Sequence, residues 1–387
     1  MKRYSLPIIA LFLCARLAGA QSTPFADAKV IHSLPWKSDA VTSVAFLGND
    51  KIAAANKRGD ILVWNLPASG DKSPDPVRRL AGHKGAINRL LATPDGKTLI
   101  SVSNDRTVRF WDALKSDGEP GTIVLNDGIV RVGVSEKVAK LPDPPPPITA
   151  NVVVQKPLRE LIGHKEWIWG LALSRDGKTL VTGDDSSVAI VWDAATGTEL
   201  RRWKVKQWIR TLDISPDNKT VVTAENFPQL KFSETDVGVR GWDVQTGKLK
   251  FDVSNELKFG MAAVRFSDDG KHLAICQGSI DREGAAGKVF LLDPATGKKL
   301  RELNPSHQRG ATDLAFHPDG KHLLTCGRDR LVKIWRLSDG ELVRDLGKAE
   351  KGLSEAFHAI SITPDGTLLA VADGGGQVVI YTLADRK

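Results

Sequence analysis

Two sets of residues in this 387-residue chain bring together a histidine, a hydroxyl and a carboxylate in the same order: His83, Ser101 and Asp105, then His307, Thr325 and Asp329. A hydroxyl beside a histidine that a carboxylate orients is the constellation of nucleophilic hydrolysis. Against that chemistry stands the rest of the chain. It has no HExxH metal pair, no GxSxG nucleophile turn, no phosphate loop and no EF-hand calcium loop. Nor does it hold a CxxC pair or a CxxCH haem motif. The expectation is a protein without metal or cofactor, whose His and Asp residues do structural work.

That structural work belongs to a repeated unit. Its clearest copy is Gly163 to Asp193, GHKEWIWGLALSRDGKTLVTGDDSSVAIVWD. The apolar register of this stretch recurs seven times, at Val41/Val44/Phe46, Ile87/Leu90/Ala92, Ile168/Leu171/Leu173, Ile209/Leu212/Ile214, Met261/Val264/Phe266, Ala311/Leu314/Phe316 and Phe357/Ile360/Ile362. Six copies run into a turn of the Pro-Asp-Gly kind (TPDG at 93–96, SRDG at 174–177, SPDN at 215–218, SDDG at 267–270, HPDG at 317–320, TPDG at 363–366), and the other uses Gly48-Asn49-Asp50. Such turns join strands into hairpins, because Pro presets φ and Gly or Asn supplies φ > 0. A third apolar strand follows each time and ends at Trp64, Trp111, Trp192, Trp242, Leu292, Trp335 or Tyr381. Short strands at this spacing predict an all-β fold.

The unit resembles the WD40 repeat over residues 29–385. Gly82-His83 with Trp111-Asp112, Gly163-His164 with Trp192-Asp193, and Trp242-Asp243 carry the likeness, and Ser306-His307 to Trp335-Arg336 is a looser copy. Runs such as WDAATGTEL and DPATGKKL are similar to those of exported bacterial members of the family. The resemblance implies a seven-bladed β-propeller of four-stranded antiparallel blades. It would be closed by the strand Lys29 to Leu34 completing the last blade, which removes exposed sheet edges. It also implies that His83, Ser101, Asp105 and Trp111, and His307, Thr325, Asp329 and Trp335, form buried hydrogen-bond networks. The third blade has His164, Thr182 and Trp192, with Ser186 where the Asp belongs. In blades 1, 4, 5 and 7 the histidine is replaced by Lys37, Val205, Leu257 and Leu353.

Residues 1–20 read as a signal peptide: Lys2 and Arg3, an apolar run from Ile8 to Leu13, and Ala18-Gly19-Ala20 as the cleavage site before Gln21. The run is too short to span a membrane and Arg16 interrupts it. The expectation is export to the periplasm or beyond, with 21–28 as a linker and 29–387 as the propeller. Removing the segment takes away three basic residues and no acidic one, so the net charge falls from +8 to +5. A mildly basic chain without dense Lys/Arg runs is not a nucleic-acid binder. Cys276 and Cys326, in matching contexts of neighbouring repeats, read as buried free thiols.

Three insertions break the period. Residues 114–158 separate the last two strands of blade 2; TIVLNDGIVRVGV reads as a small hairpin about Asn126-Asp127-Gly128, and Pro142 to Pro147 as a stiff spacer on the face opposite the Gly-His loops. The other two, about 225–239 and 277–288, open on the Gly-His face.

Aligned across blades, Lys84, Lys165, Lys206 and Lys258 stand at the start of the innermost strand, with Trp167 and Trp208 beside them. Ser38, Gln308 and Ser354 hold the lysine position in the remaining blades. The resemblance turns these positions toward the partner-binding face, and aromatics with cationic neighbours suit an acidic peptide or an anionic ligand such as a carbohydrate. The expected function is a non-catalytic, exported, monomeric protein-interaction scaffold. The alternative is an exported propeller enzyme, a lactonase-like hydrolase or a quinoprotein-like dehydrogenase, which would need carboxylates or a cofactor-stacking Trp on its central channel.

Overall fold

The computed structural model describes residues 24–36, 40–67, 72–126, 129–132, 137–140, 147–225, 238–254, 260–278, 287–348 and 356–383. The expected signal segment, Lys37, Ser38, Leu257, Lys258, Leu353, Ser354, the Asp127-Gly128 turn, most of the proline run and most of the two insertions on the Gly-His face lie outside these residues.

Strands alternate with tight turns and build seven blades, one per repeat, each of four strands paired antiparallel. The innermost strands are Val41–Phe46, Ile87–Ala92, Ile168–Leu173, Ile209–Ile214, Met261–Phe266, Ala311–Phe316 and Phe357–Ile362. Each pairs with the strand that follows it across its turn. Within the turns the aspartate caps the chain: Asp176 accepts hydrogen bonds from Ser174 Oγ (2.5 Å) and Lys178 N (3.0 Å). Asn218 takes the left-handed conformation (φ 59°) that glycine takes in the sister turns.

Both faces of every sheet are apolar, so each sheet must be covered on both sides. The core accordingly divides into clusters that straddle neighbouring blades. Ile100, Val102 and Phe110 of blade 2 pack on Ile168, Leu171 and Trp192 of blade 3, and Val222 and Phe251 of blade 4 on Val264 and Phe266 of blade 5. Such packing works only in a closed ring. Strand Lys29–Pro35 closes it by pairing antiparallel with Gln377–Thr382, from Lys29↔Thr382 to Pro35↔Gln377, as the outer strand of blade 7. Cys276 and Cys326 are buried and unbonded to each other.

The insertion after blade 2 differs from the expected local hairpin. Strand Glu119–Asn126 does not pair with Ile129–Val132 across Asp127-Gly128. It pairs instead with Ile148–Gln155, while Ile129–Val132 pairs with Lys137–Lys140. Ile148–Gln155 then lies parallel to Arg78–Ala81, so blade 1 becomes a six-stranded sheet. The insertion therefore runs along the outer edge of blade 1, not simply on the face opposite the Gly-His loops. The reason is burial: Ile123, Leu125, Ala150 and Val152 pack into the seam that holds Leu34, Trp36 and Trp64. A hairpin standing alone has no such surface to cover.

Buried Arg78 holds this crossing in place. Its guanidinium donates to the carbonyls of Ala113 (2.6 Å) and Lys115 (2.7 Å), where the chain leaves blade 2, and Gln155 Nε2 donates to Lys115 O (2.8 Å) and Asp117 O (3.0 Å). Arg159 does the same one seam on, donating to Ala194 O and Ala195 O, both at 2.5 Å. Arg78→Met should lower the unfolding free energy by about 2–3 kcal/mol, the cost of leaving buried carbonyls unpaired. Limited proteolysis should then cut near 113–118, whereas unchanged urea midpoint and cleavage pattern would remove Arg78 from this role.

Candidate functional site

The Gly-His loops are held by hydrogen-bond chains with a defined direction. In blade 2 the indole Nε1 of Trp111 donates to Ser101 Oγ (2.8 Å), Ser101 donates to His83 Nε2 (2.7 Å), and His83 Nδ1 donates to Asp105 (2.8 Å). Because indole only donates and carboxylate only accepts, the order of donors assigns a neutral His83 protonated on Nδ1. Burial agrees, holding the imidazole pKa below its usual 6.5 against the pull of Asp105. Burial also opposes charge on Asp105, but bonds from His83, Lys84 N and Thr107 outweigh it and leave the carboxyl well below its usual range. Blade 6 repeats the chain through Trp335, Thr325, His307 and Asp329 (3.0, 2.8 and 2.9 Å). No hydroxyl faces a substrate-accessible space here: Ser101, Thr325 and His307 are buried.

Blade 3 completes the same chain from a different residue. His164 donates to Asp184 (2.6 Å) at the end of strand Thr179–Asp184, and Ser186 donates to that carboxylate (2.8 Å). The carboxylate has moved two residues upstream, so blade 3 is not a loosened copy. Blade 6 shows the converse constraint, because a Cβ on Gly327, the strand-end residue there, would sit 2.5 Å from His307 Nδ1. Gly163 precedes its histidine for a similar reason, as a Cβ there would lie 2.7 Å from the Trp192 ring.

Blade 4 lacks the histidine and substitutes an ion pair. Trp242 donates to Thr223 Oγ1 (2.8 Å), which donates to Glu225 (2.8 Å), and Arg240 Nη1 donates to Glu225 at 2.5 Å. Glu225 is fully buried, which raises its pKa against the pull of Arg240. The aligned sequence did not single out this pair, although a Glu at a strand end opposite an Arg was a visible signal.

These carboxylates carry the lysine-bearing loops. Asp105 accepts the backbone N–H of Lys84 (2.9 Å), Asp329 that of Gln308 (3.0 Å), and Glu225 those of Lys206 (3.1 Å) and Gln207 (3.0 Å). Lys84 and Lys165 are exposed. Lys206 is exposed too, but its ammonium pairs with Asp252 at 3.3 Å. Trp167 is 49% exposed, a large apolar surface left in solvent, and Trp208 is half-buried. The described part of the arc is thus Lys84, Lys165, Trp167, Lys206 and Trp208 over blades 2 to 4.

The central channel holds residues that the sequence reading passed over. Every innermost strand has a bulge between its first and third residues. A bulge re-aims the side chain it displaces, here at Thr42, Asn88, Trp169, Arg210, Ala262, Thr312 and His358. Deeper in the channel, Arg89 Nη2 reaches across from blade 2 to Asp313 of blade 6 (3.0 Å). Asp313 also accepts Ile360 N (3.2 Å), and Asp213, its pKa raised by burial to about 6, accepts Phe266 N (2.8 Å). Beyond them, at the Pro-Asp-Gly end, a cavity of about 470 Å³ opens among Arg89, Arg175, Asp213, Arg265 and Asp313. Among the described residues no group of His, Cys, Asp and Glu is arranged to hold a metal ion, and no helix is long and apolar enough to cross a membrane.

The family description "WD domain, G-beta repeat" matches residues 74–112, 155–193 and 297–336, the repeats that carry the complete histidine networks of blades 2, 3 and 6. The chain is a WD40-repeat protein. Similar curated proteins include the target of rapamycin complex subunit wat1 of Schizosaccharomyces pombe, 25% identical over 62% of this chain and 74% of that protein. The guanine nucleotide-binding protein subunit beta of Solanum tuberosum is 23% identical over 80% of this chain and 84% of its own length. Protein hir1 of S. pombe is 24% identical over 87% of this chain, which spans only 35% of that longer protein.

Blade 1 keeps its tryptophan without the hydroxyl: Ala54 occupies the Ser101 position, and buried Trp64 Nε1 has no partner among the described residues. Ala54→Ser should supply the missing acceptor and add about 1 kcal/mol of stability, read as a higher urea midpoint. A lowered midpoint would mean that the seam has no room for the oxygen.

Proposed function

We propose that this WD40-repeat protein is a non-catalytic scaffold, exported from the cytoplasm, that binds a protein segment on its Gly-His face. The observation that carries the reading is Trp167, half in solvent beside Lys165 on a loop braced by the blade-3 network. A rigidly mounted aromatic with cationic neighbours has the composition of an interface anchor, able to gain contact area with little loss of side-chain freedom. The similar proteins favour the same reading, since two of them are named as subunits of larger assemblies. The preferred partner is acidic, because Lys84 and Lys165 stand exposed on the same arc.

The Lys165→Ala/Trp167→Ala double variant should keep the parent's far-ultraviolet circular dichroism and thermal midpoint. Capture of partner from a native extract should weaken at least tenfold, the loss of roughly 1.4 kcal/mol or more expected for an interface anchor. A folded variant that captures the same proteins as strongly removes this face from the function.

Export rests on the leader at residues 1–20, whose charge, apolar run and small-residue end have the composition of a secretory signal. N-terminal sequencing of the protein recovered from its native cells should begin at Gln21. A mature chain that retains Met1 would overturn the secretory reading.

A further inference from the structure

The seven bulged positions divide into two kinds. Thr42, Asn88 and Thr312 spend their donors on the surrounding fold: Thr42 Oγ1 bonds Ile87 O at 2.6 Å, Asn88 Nδ2 bonds Ile168 O at 2.7 Å, and Thr312 Oγ1 bonds Cys326 O at 3.1 Å. The first two tie one blade to the next. Ala262 has nothing to donate. Arg210 and His358, from blades 4 and 7, make no such ties among the described residues and stand exposed at the channel mouth, while the Trp169 indole of blade 3 gives its N–H to Asp185.

Arg210 is the centre of this group. Its guanidinium lies 4.0 Å from the centroid of the Trp169 ring. A cation over a ring face is held by the ring's charge distribution, an attraction that does not consume the N–H donors of the guanidinium. The side chain is open to solvent through the channel, and among the described residues it forms no ion pair. Asp185 is the acid whose field it feels, but burial works against that carboxylate's charge and raises its pKa to about 6. Surrounding protein likewise lowers Arg210, to about 10, with Arg328 and Arg89 adding to the effect against Asp185. His358 is pushed down to about 4 by desolvation and by Arg328, Lys57 and Arg210. Arg210 thus feels other cations as well as Asp185, and in a mouth partly walled by protein an incoming anion interacts with its guanidinium more strongly than it would in bulk water.

The shape narrows the choice of anion. A guanidinium edge matches a planar two-oxygen acceptor, and a carboxylate accepts two parallel N–H bonds from it. Trp167, two residues before Trp169, lies exposed at the rim. A chain segment resting on Trp167 can thus drop one acidic side chain into the mouth.

We propose that the channel mouth on the Gly-His face receives a carboxylate, carried as an Asp or Glu side chain on an extended segment of a protein partner, with Arg210 as its paired donor and Trp169 as the wall that aims the guanidinium. This rests on the reading that the Gly-His face binds protein, and it adds the chemistry of the anchor.

The test is selection of random dodecapeptides displayed on phage against the purified chain, followed by capture of the enriched peptides on variants. The expected result is a shared Asp or Glu at one position, with capture weakened at least tenfold by Arg210→Met and less by Arg210→Lys, which keeps the charge but not the fork. Thermal midpoints and near-ultraviolet circular dichroism establish that both variants are folded; if Arg210→Met is not, the peptide with its acid replaced by Asn or Gln gives the same reading on the unaltered chain. Enriched peptides without a common acid, no enrichment, or full capture by folded Arg210→Met would overturn the proposal. Displacement of the peptides by sub-millimolar acetate or inorganic phosphate would reassign the mouth to a free anion and also overturn it. Capture that depends on Lys165 and Trp167 but not on Arg210 leaves the face standing and refutes only the anchor. Capture that survives both sets of substitutions refutes both.

Discussion

The two-sided apolar sheet is the constraint from which the rest of this molecule follows. A sheet with one apolar face can stop at solvent; these cannot, and each finds cover only in its neighbours. The core is therefore a series of seams between blades, and the seams are satisfied together when the ring is closed. Closure depends on a strand from the far end of the chain, Lys29–Pro35, laid against Gln377–Thr382. The insertion after blade 2 obeys the same demand. Its apolar residues seek the seam at which the ring closes, and Arg78 fastens the chain that carries them there.

With the blades fixed, the loops still have to be held, and the means vary while the geometry does not. Each fastening joins a strand-borne hydroxyl to an acid, and in blades 2, 4 and 6 that acid also holds the backbone N–H groups leading into the innermost strand. In blades 2 and 6 a histidine stands between hydroxyl and acid; in blade 3 the acid reaches the histidine from two residues upstream; in blade 4 Glu225 meets Thr223 directly and is neutralised by Arg240. A buried carboxylate is tolerable only when its charge is met by donors, and blades 2, 3, 4 and 6 satisfy that condition in three different ways. This is why a Ser–His–Asp arrangement here has no bearing on hydrolysis. Its hydroxyl is already committed to an indole on one side and an imidazole on the other.

The bulges give the channel its character. Seven strands that kink at the same place turn seven side chains toward one axis, and their chemistry is not uniform. Some tie one blade to the next and some do not, and among the latter Arg210 and His358 keep their polar groups at the mouth. The cross-channel pair Arg89–Asp313 lies below them and separates a cationic, aromatic mouth from the cavity at the opposite end.

The sequence alone determined the repeat and its turns, because these depend on short-range signals: period-two apolarity, the conformational demands of Pro, Asp and Gly, and the tryptophan that ends five of the seven third strands; the resemblance of the repeat to a known one supplied the strand that closes the ring. The sequence also determined which residues stand at equivalent positions, and so the Lys84, Lys165 and Trp167 arc. Tertiary structure decided what those positions meet. Asp184 could replace Ser186, and Glu225 with Arg240 could replace a histidine, because a hydrogen bond is set by where atoms lie in space and not by their spacing along the chain. Likewise the run about Asn126 paired with distant Ile148–Gln155, since the gain from burying Ile123 and Leu125 at the ring's seam exceeds that of a local hairpin. The Trp169–Arg210 pair joins two blades, and only the curvature of the closed ring brings one to the other.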